Sequence, residues 1–337
     1  MRNRLLVAFC VSLWASALWG QGAVATLNGT VLDPSGSVVA GAKVTAKHVA
    51  TAVEHEATTT SAGYYTMPYL SAGTYNVSVS APGFSTATAE NVILRIAQTM
   101  TVDITLKVGQ VTEQITVSTE APLLESTNAE IGRYISGAEY GRWPNIVSDG
   151  QRQLQGFIFA SLPGTVGGTF QGSINGGQYY SHEILIEGMP VGRVDLQGGN
   201  LDEFTPSADS VSEFKLQTGA VSAQYNGGQT AVANFGIKSG TNELHGTSYI
   251  FIQNDVLRAN TFANNARGVR KAPGKDISWG YTVGGPVWIP KVYNGKNKTF
   301  FFHNLEKDRR RSFGIAGLNT RLPTVDFKRG EIGRAHV

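Results

Sequence analysis

His303-Asn304-Leu305-Glu306 has the His-x-x-Glu spacing of a zinc hydrolase. Two such ligands and a distant second histidine hold the metal while one open position activates water. Here the tetrapeptide lies inside the strand-like run 299–306, and the only later histidine is His336, in a terminal stretch that does not resemble the rest of the chain. The match is therefore read as chance. His48, His55, His182 and His245 are scattered without ligand spacing. No Gly-x-Gly-x-x-Gly opens a helix and no Gly-Lys-Ser/Thr loop occurs, so the glycine pairs at 167–168, 176–177, 198–199 and 227–228 read as turns rather than phosphate cradles. A Gly-x-Ser-x-Gly elbow and a Cys-His pair are absent as well. The expectation is a protein without catalytic residues, metal site or cofactor.

The elements that such residues would need are short strands. The chain has 337 residues with 40 glycines and only 16% charged positions, and its Thr, Tyr and Val content favours strands and tight turns. A net charge of +3 is too mild to point to nucleic acid. Arg2 and Arg4 precede an apolar run from Leu5 to Leu18 with Ala15-Ser16-Ala17 at its end, the form of a cleaved secretory signal over residues 1–20. The run is shorter than the roughly 20 residues that span a bilayer. The single cysteine, Cys10, lies within it, so the mature chain carries no thiol.

Residues 26–108 follow period two: Tyr75, Val77 and Val79 share one face against Thr74, Asn76, Ser78 and Ser80 on the other, and Val102, Ile104 and Leu106 repeat the scheme. Asp33-Pro34-Ser35-Gly36, Ala62-Gly63, Ala72-Gly73 and Pro82-Gly83 supply turns. A small antiparallel sandwich with one buried face per sheet is predicted. The ordered set Gly29 to Gly36, Gly41 to Val44, Gly63 to Tyr65, Leu70, Gly73 to Tyr75 and Pro82 to Phe84 resembles the carboxypeptidase regulatory-like domain, a likeness that specifies a fold of the Ig/prealbumin kind and no activity.

A second ordered set follows. Asn175 to Gly177, the strand Ile184 to Gly188, Val211 to Leu216, Ala223 to Gly228 and Val232 to Gly240 resemble the second half of the α+β plug domain of TonB-dependent outer-membrane receptors, placed at 129–240. The resemblance implies a TonB-contacting segment before the plug, within the linker 109–128. Glu113, Gln114, Ile115, Thr116, Val117, Ser118 and Thr119 are the candidates, because strand addition needs only backbone hydrogen bonds and alternating side chains. Val111, Ile115 and Val117 also alternate like a last sandwich strand, and both readings stay open. By the same likeness, loops flanking the strand that ends at Gly188 would face an extracellular ligand: Gln178, Tyr179, Tyr180 and His182 before it, residues 195–202 after it. Aromatic and amide groups there suit a carbohydrate, chelate or peptide.

Beyond Gly240, Trp279, Tyr281 and Val283 alternate with Ser278, Gly280, Thr282 and Gly284, as in a strand with lipid on one side and a lumen on the other. This stretch and 297–302 with Glu306 and Arg309 resemble the first barrel hairpins of the Oar-like subgroup, so residues 241–331 are expected to begin a transmembrane β-barrel. At Tyr249 to Ile252 apolar residues occupy both faces, a strand expected to pack against the plug. A barrel that holds a plug needs on the order of 22 strands, and residues 332–337 read like a translated sequencing adapter; both suggest a piece of a longer protein. The whole reads as a mainly β receptor or transporter of the outer membrane, its sandwich and plug on the periplasmic side, with TonB and its inner-membrane energising partners, outer-membrane lipid and an extracellular ligand as partners. The alternative is a structural or adhesive outer-membrane protein that binds polysaccharide or protein through its sandwich.

Overall fold

The computed structural model describes residues 25–109, 114–117, 131–143, 147–148, 151–152, 154–161, 164–167, 172–179, 181–191, 206–219, 221, 225, 230–271 and 273–312. The expected signal, Glu113, Ser118, Thr119, Tyr180, the loop 195–202 and residues 332–337 lie outside the described residues. By compactness the chain divides into two units, Met1–Tyr249 with Gly280–Glu306, and Ile250–Trp279 with Lys307–Val337.

The first unit begins with a two-sheet sandwich. Its strands are β1 (Ala25–Leu32), β2 (Lys43–His48), β3 (Glu54–Thr58), β4 (Tyr64–Leu70), β5 (Gly73–Ser80), β6 (Thr86–Leu94), β7 (Thr99–Thr101), β8 (Ile104–Thr105) and β9 (Gln114–Val117). One sheet runs β4-β1-β7 with β8 also on β1; the other runs β3-β2-β5-β6-β9. The alternation predicted for β5 holds, with Tyr75, Val77 and Val79 buried, and so does that of Val102, Ile104 and Leu106. These residues and Leu27, Val31, Val44, Tyr65 and Leu94 form one core between the sheets. The sandwich is not wholly antiparallel. β1 pairs in parallel with β7 and β8, and β6 pairs in parallel with β9, because the chain crosses from one sheet to the other before returning in the same direction.

One polar contact lies inside that core. The Tyr65 hydroxyl donates to the Val102 carbonyl at 2.7 Å, and Gly29 leaves the room, since a Cβ there would stand 2.0 Å from the same oxygen. Tyr65→Phe removes the donor and leaves a buried carbonyl without it. A loss of about 1–2 kcal/mol in the unfolding free energy of residues 26–108 is expected from urea titration.

The next region holds a five-stranded sheet in the order β10-β17-β18-β15-β16, where β10 is Ile131–Ser136, β15 His182–Ile186, β16 Met189–Pro190, β17 Val211–Gly219 and β18 Ala231–Ile237. Two small hairpins precede β15: β11 (Val147–Ser148) with β12 (Gln151–Arg152), and β13 (Thr165–Val166) with β14 (Ser173–Ile174). The helix Leu154–Ser161 contributes Leu154, Phe157 and Ile158 to a second core with Ile135, Ile184, Phe214 and Phe235. β15 to β16 is a tight turn with Glu187 and Gly188 both at positive φ, the mirror-image turn that strand twist favours. Glu187 Oε1 accepts the Ile237 N–H at 2.5 Å and Asn234 Oδ1 accepts the Gly188 N–H at 3.2 Å. Glutamate thus ties this hairpin to β18.

Three long strands close the described chain in the order β19-β20-β23, with β19 His245–Asn254, β20 Gly274–Pro286 and β23 Phe300–Ser312. A short hairpin, β21 (Trp288–Ile289) with β22 (Tyr293–Asn294), joins the latter two. On β20, Ser278 and Thr282 are buried while Trp279 and Tyr281 are exposed, the two-sided pattern the sequence predicts.

Candidate functional site

The central residues of the segment expected to meet TonB form the edge strand β9. Gln114, Ile115, Thr116 and Val117 lie opposite Thr86, Ala87, Thr88 and Ala89 of β6 in parallel register. Their backbone is therefore held by the sandwich in the pairing mode that strand addition to another protein would use. Among the described residues no further strand pairs with the outer edge of β9.

The loop before β15 is built on an Asn-Gly turn, Asn175 and Gly176 both at positive φ. Gly177 packs so tightly that a Cβ would stand 2.2 Å from Thr230 Cγ2, and Ser181 Oγ donates to the Gln178 carbonyl at 2.7 Å and meets Thr230 Oγ1 at 2.9 Å. This fixed loop presents Gln178 and Tyr179 to solvent, Tyr179 at 61% exposure. With Val166, Ser173 and Gly177 they line a depression of about 590 Å³. A flat aromatic ring beside an amide, carried by a rigid turn, can stack on and hydrogen-bond a polar ligand.

His182 does not join them. It is 3% exposed, packs edge-on against Phe159 with centroids 5.5 Å apart, and its Nε2 has no hydrogen bond among the described residues. As the first residue of β15 it faces inward, which a reading of loop polarity does not foresee. Burial pulls its pKa down to about 4, so the imidazole is neutral in the folded state. The unfolded chain takes up a proton below its ordinary value near 6.5, and the stability is present above that pH and lost as pH falls toward 4. Hydrogen exchange of the β15 amides, corrected for intrinsic rates, is expected to show the opening free energy falling by roughly 3 kcal/mol between pH 7 and pH 4. His182→Phe is expected to flatten that dependence.

A second cluster links the five-stranded region to the first and last long strands. Ser207 Oγ lies 3.0 Å from Tyr249 Oη and donates to Glu306 Oε2, and Tyr249 Oη donates to the same carboxylate at 2.8 Å. Ser207 also caps the 3-10 turn Ala208–Ser210 through the Asp209 N–H. Gly280 admits the phenol, since a Cβ there would stand 2.6 Å from Tyr249 Oη. The sequence marks Tyr249 only as an exception to alternation; its partners, separated by 42 and 57 positions, are not legible from the chain.

The same geometry disposes of the zinc-like tetrapeptide. His303 stacks on Tyr281 with centroids 5.6 Å apart, whereas Glu306 reaches Ser207 and Tyr249. Positions three apart on a strand point to opposite faces, so these two side chains do not converge on one ion.

The sandwich meets the five-stranded region through the turn after β6. Glu213 Oε1 accepts the Ile96 N–H at 2.6 Å, Lys215 Nζ donates to the Ala97 carbonyl at 3.1 Å, and the Arg95 guanidinium lies 5.2 Å from the Tyr134 ring. Ile96 is buried against Gly236, where a Cβ would stand 3.0 Å from its Cδ1. Burial pushes the Glu213 carboxyl up from its ordinary value. This junction is not legible from the chain, because its hydrogen bonds join residues 117 and 118 positions apart.

Residues 26–107 match the carboxypeptidase regulatory-like domain and residues 236–336 match an outer membrane beta barrel domain. With a relative that spans most of the chain, these matches make the chain similar to TonB-dependent receptors of the outer membrane. That relative is the TonB-dependent transporter Oar of Myxococcus xanthus, 24% identical over 312 residues. The alignment covers 86% of this chain and 28% of the relative, so the chain spans under a third of its length. Among solved structures, the siderophore receptor PirA of Acinetobacter baumannii is 18% identical with a TM-score of 0.35, over 54% of this chain and 24% of that one. A mutant of the ferric enterobactin receptor PfeA of Pseudomonas aeruginosa is 21% identical with a TM-score of 0.34, over 47% and 22%.

Proposed function

We propose that the chain supplies the sandwich, plug and first barrel strands of a receptor that takes up an extracellular ligand and catalyses no bond chemistry. Residues 129–240 are the plug, and the depression beside Gln178 and Tyr179 belongs to its ligand-facing surface. TonB, energised through its inner-membrane partners, takes residues 113–119 as a strand and draws on the plug. The observation that carries this reading is β9, an edge strand between sandwich and plug whose outer backbone edge has no strand partner among the described residues. The two sequence readings of this segment then describe one strand: it rests on β6 and leaves it to pair with TonB. The Ser207–Tyr249–Glu306 cluster is the hold on the barrel wall that such a movement has to release.

Cells expressing the receptor from its complete gene provide the test. Labelled ferric chelates, oligosaccharides and peptides are supplied to cells with and without TonB, and surface binding is separated from accumulation. One ligand class is expected to bind in both strains and to accumulate only where TonB is present. Binding without TonB-dependent accumulation for every class would instead support the adhesive alternative.

A further inference from the structure

The second unit sorts its charges by strand face. On β20, Lys275, Ile277 and Trp279 occupy one face and Asp276 and Ser278 the other. Trp279 is exposed while Ser278 is buried, which makes the odd-numbered face the outer one. Within the same unit β23 holds Lys307, Arg309 and Arg311 at alternate positions, with Asp308 and Arg310 between them. Arg310 turns to Asp276 at 4.0 Å on the inner side, so the odd-numbered residues of β23 face outward as well. Lys275, Lys307, Arg309 and Arg311 are exposed, and none pairs with a carboxylate among the described residues. Every basic residue of these stretches except the paired Arg310 thus lies on the outer face, and both acidic ones, Asp276 and Asp308, lie on the face that Arg310 shares.

Along the strand the basic face gives way to an apolar one. Trp279 is 42% exposed, and Ile250 and Ile252 of β19 are exposed at 62% and 61%. The basic end of β20 follows the longer connection, residues 255–273, whereas the shorter one, 287–299, lies at the other end. Outer-membrane barrels carry their longer loops on the extracellular side. Gly280 lies against the Leu305 carbonyl and Gly274 near that of Arg311, so the cations run from Lys307, near the level of Trp279, to Lys275 and Arg311 beyond the apolar belt, toward the outer-leaflet headgroups where an aromatic girdle is also expected.

We propose that Lys275, Lys307, Arg309 and Arg311 form a binding face for the phosphorylated headgroups of outer-leaflet lipid. Charge complementarity selects this occupant: clustered cations above an apolar belt match phosphates that stand above acyl chains. The inference rests on the outer-membrane location and the barrel match. It does not depend on import, so a failure of the transport reading leaves it standing.

The test uses the receptor expressed from its complete gene, extracted from outer membranes in mild detergent, with co-purifying lipid phosphate measured by phosphate assay and native mass spectrometry. The variant K307Q/R309Q/R311Q is compared with K291Q/K296Q/K298Q, which removes the same charge from the shorter connection. Wild type and the second variant are expected to retain phosphorylated lipid, and the first to lose it roughly a hundredfold, about fivefold per removed charge. Heat-modifiable gel migration reports barrel folding, and R309Q alone serves if the triple variant does not fold. In phosphatidylcholine vesicles, added lipid A is expected to raise the unfolding temperature of wild type and of K291Q/K296Q/K298Q, but not of K307Q/R309Q/R311Q. Equal retention by all three proteins, equal loss by both variants, or no lipid on wild type would each overturn the proposal.

Discussion

Alanine at position 29 is expected to abolish cooperative folding of residues 26–108 at physiological temperature. Its Cβ would stand 2.0 Å from the Val102 oxygen and 2.7 Å from the Val102 carbon. That backbone cannot move aside freely, because the Val102 N–H donates to Asn28 at 2.8 Å and its carbonyl accepts from Tyr65 at 2.7 Å. Overpacking a well-formed core costs about 1–3 kcal/mol where side chains can adjust, and more where backbone must. Against the roughly 5–15 kcal/mol of an ordinary domain, a loss of about 4 kcal/mol or more removes most of the folded population. Gly36→Ala provides the contrast. It sits at φ +84° with nothing near its Cβ, and a penalty of about 1–2 kcal/mol is expected from backbone conformation alone. Thermal melts followed by circular dichroism read both, and a Gly29→Ala domain that melts within a few degrees of wild type would contradict the packing described.

The second large effect concerns β9. Ile115→Pro with Val117→Pro removes two backbone donors from the strand and fixes its φ values, while the depression beside Gln178 and Tyr179 is untouched. Binding of the purified periplasmic domain of TonB to the complete receptor is expected to fall more than tenfold, about 1.4 kcal/mol or more. Ligand binding at the surface is expected to persist. Since Ile115 and Val117 lie opposite Ala87 and Ala89, the melting temperature of residues 26–119 is measured alongside. Unchanged affinity for TonB would remove 113–119 from the account.

What the chain discloses depends on whether a signal is local. Tyr75, Val77 and Val79 are legible because a half-buried strand repeats every two residues, and Trp279 and Tyr281 are legible for the same reason on a wall with two different sides. β6 is less so: Ala87, Thr88 and Ala89 are buried in succession, which breaks the period. Positive φ at Tyr69 and Ala97 carries no mark in residue type, unlike that at Asn91 and in the Asn-Gly turn at Asn175. The candidate ligand loop was half legible. Gln178 and Tyr179 are at the surface as expected, yet His182, three positions on, opens a buried strand and turns under Phe159. The junction of Ile96 with Glu213 and the cluster of Ser207, Tyr249 and Glu306 depend on long-range closure. Their polar residues look like ordinary surface positions until the fold brings them together.

If one strand serves sandwich and TonB in turn, a covalent lock between β6 and β9 blocks TonB. Thr86 and Gln114 are Cα partners across β6 and β9, within the reach of a disulfide, and the chain's only native cysteine, Cys10, lies in the expected signal. The complete receptor carrying Thr86→Cys and Gln114→Cys is titrated with the purified periplasmic domain of TonB before and after reduction. No binding is expected in the oxidised form and wild-type affinity once reduced; equal affinity in both states would show that TonB does not take this strand.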